Sequence, residues 1–103
     1  GPTKRELTIK PISLGEESKI LIQNATIQNA VIGIAAKDLT TVEVQNITLL
    51  NNDQAFAAYQ KKPEYGPASI IVHKYKAEGN KQLYVLQEGS MLKLLDEVIM
   101  GKK

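Results

Sequence analysis

The densest gathering of side chains able to hold a ligand lies in residues 59–66. Tyr59, Lys61, Lys62, Glu64 and Tyr65 fall there, with Pro63 and Gly66 among them. Tyrosine combines an apolar ring with a polar hydroxyl, and lysine and glutamate add hydrogen bonds, so the set suits a sugar held on a surface loop. The same segment also reads as a plain connector, because Pro63 and Gly66 favour tight turns. Lys37-Asp38 is a second candidate, an adjacent base and acid. Glycoside hydrolysis needs two carboxylates at a defined separation. Only Asp38 is well placed for that work, so a solvated turn is the better reading. His73 is the single histidine and the chain has no cysteine. A zinc site wants three or four ligands, so no metal and no cofactor are expected. Asn24-Ala25-Thr26 and Asn46-Ile47-Thr48 match the glycosylation acceptor pattern. Their match to each other has a simpler cause in the repetition of the chain.

The composition narrows the partners. The chain has 103 residues, 43% hydrophobic, with a formal net charge of +2. That length predicts one domain and that apolar content predicts a folded core. Charges of both signs are spread along the chain, and the aromatics are one Phe and four Tyr. A nucleic-acid footprint needs clustered basic residues or stacking rings, so no nucleic-acid partner is expected. No apolar run approaches the roughly 20 residues of a membrane-spanning helix, so no membrane insertion is expected. Gly1-Pro2 has the form of a remnant of a cleaved tag, which leaves residues 3–103 as the expected domain, read as the C-terminal part of something longer.

The elements that must position these groups come from an internal repeat. Sliding the chain by 22 residues lays residues 18–39 on 40–61. Gln23 then meets Gln45, Asn24 meets Asn46, Thr26 meets Thr48, Asn29 meets Asn51, Ala35 meets Ala57 and Ala36 meets Ala58. The two acceptor patterns are therefore one motif repeated. A third copy is offset by 28 because six extra residues near 61–66 intervene, so that Ile70, Val72, Asn80, Gln82 and Tyr84 fall on Val42, Val44, Asn52, Gln54 and Phe56. A fourth begins at Ser90, with Leu92 and Leu94 in the apolar positions.

Helical repeats run to about 33 residues or more, and propeller blades to about 40, so this period points to stacked β-strands. Ile20-Leu21-Ile22, Val42-Glu43-Val44 and Ile70-Ile71-Val72 are short, β-branched and bounded by polar residues. Second strands are expected at 33–37, 55–59 and 83–87, and short third strands around Thr26-Ile27 and Thr48-Leu49. Stacked strands lie about 4.8 Å apart, so equivalent residues should form columns. The interior columns predicted are Ile20/Val42/Ile70/Leu92, Ile22/Val44/Val72/Leu94, Ile27/Leu49, Ile12/Ile34/Phe56/Tyr84 and Leu14/Ala36/Ala58/Leu86. Leu21, Glu43, Ile71 and Lys93 should share an outer face, with apolar Leu21 and Ile71 offered to a neighbour. Asn24 over Asn46, and Asn29 over Asn51, should mark the corners, where stacked amides hydrogen-bond and asparagine tolerates left-handed backbone.

In this rhythm the chain resembles the right-handed parallel β-helix repeat proteins, the pectate-lyase-like solenoids. The likeness is carried by Ile22-Gln23-Asn24-Ala25-Thr26-Ile27 and by residues 33–42, and it covers roughly 7–98. It implies an all-β fold: a single-stranded right-handed parallel β-helix of about four coils, each of 22 residues, with one six-residue insertion. Residues 57–66 are also similar to a segment of bacterial surface proteins that pair such solenoids with spore-coat-protein-H-type kinase-like domains. The family includes polysaccharide lyases and hydrolases, adhesins and accessory modules. No lyase or hydrolase constellation maps onto this chain. The expected function is thus a non-catalytic structural or binding module of a bacterial surface or secreted protein, serving spacing, adhesion or assembly. The alternatives are a polysaccharide-binding surface or the end of an enzyme whose site lies in other coils. Solenoid ends expose unpaired strand edges. Residues 92–100 are expected to cap one end. The edge near Ile12 is expected to be covered by residues 3–9, or to pair with a second copy or a neighbouring domain.

Overall fold

The computed structural model describes residues 18–60 and 66–102. These residues form eleven strands and no helix. They are β1 (Ser18–Ile22), β2 (Ala25–Gln28), β3 (Ile32–Lys37), β4 (Thr40–Val44), β5 (Ile47–Leu50), β6 (Gln54–Tyr59), β7 (Ser69–Val72), β8 (Tyr75–Glu78), β9 (Gln82–Leu86), β10 (Met91–Leu94) and β11 (Glu97–Met100). From β1 to β10 consecutive strands enter different sheets, and each strand pairs with the one three places further on. The first sheet runs β1-β4-β7-β10-β11, the second β2-β5-β8, the third β3-β6-β9.

All neighbours are parallel except β10 and β11, and the register follows the repeat. Ile20 pairs with Val42, Val42 with Ile70, and Ile70 with Leu92. The strands β4, β7 and β10 alternate between buried and half-buried residues, the period-two signature of a sheet with one face on a core. The middle of the inward columns is fully buried: Val42, Val44, Leu49, Phe56, Ile70 and Leu92 have no exposure. Each such aliphatic side chain contributes about 1.5–3 kcal/mol through burial. Phe56 meets Tyr75 edge-on, with ring centroids 6.1 Å apart, which ties the third sheet to the second. The Ile27/Leu49 column continues to Ala77. Ile12 and Leu14, and the cover expected from residues 3–9, lie outside the described residues.

The corners need left-handed backbone. Asn24, Asn29 and Asn51 have φ of 52°, 58° and 56°. In the third copy the Asn51 station is Gly79, with φ +70°. A Cβ on Gly79 would run into the Asn51 side chain of the level before it, so glycine here leaves room for that side chain at a left-handed φ that asparagine adopts in the two earlier copies.

Three expectations are corrected. The fourth copy adds only β10 to the parallel ladders. Leu94 pairs with Glu97, so Leu95-Asp96 is a two-residue connection, and Leu95 opens it at φ 56°. A positive φ at the first central residue belongs to the tight hairpin turns. The chain therefore reverses, and β11 lies antiparallel along β10. Second, Tyr84 is not an interior residue: it is 40% exposed, whereas Phe56 beneath it is fully buried. No described strand lies beyond β9 to cover it. Third, the third-sheet strands begin one residue earlier than expected, because Ile32, Gln54 and Gln82 already hold the ladder.

The stack consequently ends in a step. The first sheet extends two strands past β7, while the second and third stop at β8 and β9.

Candidate functional site

Of the five sugar-binding candidates, Tyr59 alone falls within the described residues. It closes β6, is half-buried, and stands opposite Lys37. Its carbonyl accepts the Asp38 N–H at 3.1 Å. Lys61, Lys62, Glu64 and Tyr65 lie outside the described residues. Asp38 and Leu39 have φ of 45° and 59°, two successive left-handed residues that turn the chain from β3 into β4. The Leu39 side chain packs where a Cβ of Gly66 would stand. Asp38 thus belongs to a tight corner. Among the described residues no three His, Cys, Asp or Glu side chains gather as metal ligands, and no helix is long and apolar enough to cross a membrane.

The outer face of the first sheet carries a charged cluster that no motif announced. Leu21, Glu43, Ile71 and Lys93 are in line as expected. His73 Nε2 lies 3.0 Å from Glu43 Oε2, and Lys19 Nζ lies 3.7 Å from Glu43 Oε1. The hydrogen bond with His73 holds the Glu43 carboxyl below the usual carboxylate range. Partial burial works against this, and the Lys19 charge adds to it. The signal was present in the 28-residue offset: pairing Glu43 with Ile71 sets His73 one diagonal step away. The residues at 23 and 45 are both Gln, so His73 breaks the column's pattern.

Linked side-chain hydrogen bonds form a ladder at the corner between the second and third sheets. Asn52 is 1% exposed. Its Oδ1 accepts the Ala30 N–H at 2.9 Å, and its Nδ2 donates to the Ile27 carbonyl at 3.2 Å and to Asn80 Oδ1 at 2.9 Å. Asn80 Oδ1 also accepts the Asn52 N–H at 2.9 Å, and Asn80 Nδ2 donates to the Leu49 carbonyl at 3.0 Å. Each carboxamide therefore takes one N–H and fills one C=O of the level before it. Expected axial stacking occurs at Asn24 and Asn46, where Asn46 Nδ2 donates to Asn24 Oδ1 at 3.2 Å in an exposed setting. The buried amide ladder, however, sits one residue past Asn29 and Asn51. Those two turn the backbone, and Asn51 itself is exposed.

No family model, curated protein or solved structure matches this chain. Among the described residues the geometry defines an all-β stack of parallel sheets with a polar ladder at one corner and a stepped end.

Proposed function

We propose that this chain is a right-handed, single-stranded parallel β-helix, three coils and the first strand of a fourth, working as a non-catalytic spacing and assembly module of a bacterial surface or secreted protein. The observation that carries the reading is the order of its sheets. Equivalent residues lie over one another, so aliphatic columns and an amide ladder run through successive levels. Such a stack is stabilised level by level, which suits a rigid spacer. Among the described residues β8 and β9 have no neighbour beyond them, which suits assembly, since an unpaired row of N–H and C=O groups is a template for another strand.

A glycan array with the intact chain tests the reading against a polysaccharide-binding surface. The expected result is no saturable binding to any glycan. Binding that disappears in Tyr59→Ala or Tyr65→Ala would replace the spacer reading with carbohydrate recognition. Depolymerisation of an acidic polysaccharide by this chain would replace both with an enzyme.

A further inference from the structure

The amide ladder stops at Asn80 with its pattern unfinished. Resting on the β-helix reading, we infer that the stepped end is a docking edge for an extended segment of another polypeptide that places an asparagine directly after the Asn80 level. The reason lies in what each level asks of the next. The Ala30 N–H is met by Asn52, and the Asn52 N–H by Asn80. The Ile27 carbonyl is met by Asn52, and the Leu49 carbonyl by Asn80. The corresponding groups of the third level are the Asn80 N–H and the Ala77 carbonyl, and no described residue meets either.

The neighbouring backbone repeats the demand. Ala25 N–H donates to the Asn46 carbonyl and Ile47 N–H to that of Lys74; Asn29 N–H donates to the Leu50 carbonyl and Asn51 N–H to that of Glu78. Tyr75 and Gly79 are the third-level donors of these two series, and no described acceptor stands beyond them. Beside them Tyr84 and Leu83 are 40% and 37% exposed. The edge thus combines a donor–acceptor pair shaped for one carboxamide with a strand's worth of backbone partners and apolar cover. Strand addition uses this combination, with main-chain bonds giving affinity and side-chain stations giving specificity.

A second copy of this chain fits less well. Stacked in the same direction, its first described level brings Ala30 to the station, with no carboxamide. Docked through the same corner, it brings the Asn80 N–H against its own counterpart, donor to donor. The partner is therefore a strand with Asn at the corner and an aliphatic or aromatic residue four positions on, as Asn52 and Asn80 are followed by Phe56 and Tyr84.

The probe is a blocked synthetic peptide copying residues 74–86, which carries its own Asn80, titrated into the isotope-labelled intact chain. A second peptide has Asn80→Ala. The expected result is shifts and slowed hydrogen exchange at the Tyr75, Gly79 and Asn80 amides, with binding of the Asn peptide about tenfold tighter than that of the Ala peptide. Equal affinity of the two peptides, shifts confined to other residues, or no shift at roughly millimolar peptide (an affinity too weak for recognition) overturns the inference. The Asn52 amide in the free protein is the control: if it exchanges as fast as the Asn80 amide, the stacked reading itself fails, whatever the peptides do.

Discussion

Asn80 Oδ1 receives two hydrogen bonds from Asn52, from its backbone N–H and from its Nδ2, both at 2.9 Å. One side-chain oxygen thereby locks the position of a whole level, because Asn52 in turn satisfies Ala30 and Ile27.

Replacing Asn52 tests this directly. Asn52→Ala leaves the buried Ala30 N–H and Ile27 carbonyl without partners, at about 1–3 kcal/mol each. Urea unfolding should show a loss of about 2–6 kcal/mol by the same reckoning. Asn80→Ala should cost less, because Asn80 is only partly buried. The reverse order would show that the ladder is not continuous.

Ser90 makes the opposite case. It is fully buried, and its Oγ has no hydrogen-bond partner. Ala68, at the same station one level earlier, is equally buried and carries no hydroxyl. Ser90→Ala removes a desolvated group without opening a large cavity, so it should raise stability by about 1 kcal/mol. A lower unfolding midpoint in the variant would mean that the hydroxyl is satisfied in solution.

Gly79 and Asn51 are coupled across a corner. Gly79→Ala adds a left-handed non-glycine residue, costing about 1–2 kcal/mol, and drives a methyl into the Asn51 side chain. Asn51→Gly should recover part of the loss by vacating that space. The double-mutant cycle should therefore return an interaction energy above about 0.5 kcal/mol. Simple additivity would place Asn51 elsewhere.

Glu43 predicts a pH response. Its folded-state pKa is lowered by the His73 hydrogen bond and the Lys19 charge. The ionised form is thus favoured by folding. The contribution is complete above the unfolded carboxylate pKa and disappears as pH falls through the folded one. Carbon-detected NMR should find the Glu43 carboxyl titrating below ordinary glutamate. His73→Gln, which restores the residue at 23 and 45, should move that titration upward and flatten the acid limb of the stability curve. An unchanged Glu43 titration in the variant would remove His73 as the cause.

Much of the fold was legible in the chain because stacking copies a linear pattern. A strand's side chains alternate with period two, and a fixed offset of 22 or 28 residues turns that alternation into columns. The parallel sheets, the Ile20 and Ile22 columns and the outward line from Leu21 to Lys93 all follow from it. The candidate site was less legible. Asn52 and Asn80 were visible as matched residues. Which of two adjacent asparagines would point inward depended on Asn51 taking φ 56°, a backbone state that residue type permits without dictating.

What the sequence determined by itself was therefore the repeat, its direction of burial and its registers, since these depend on residue type and spacing alone. Tertiary structure decided where the repeat stops. Leu92 and Leu94 continue the apolar pattern, yet the left-handed turn at Leu95 folds β11 back instead of completing a level. It also decided that Glu43, His73 and Lys19 form one cluster, because residues 24 and 30 positions from Glu43 become neighbours only when three levels lie side by side. Contacts between levels are set by distances across the stack, and no local stretch of chain contains them.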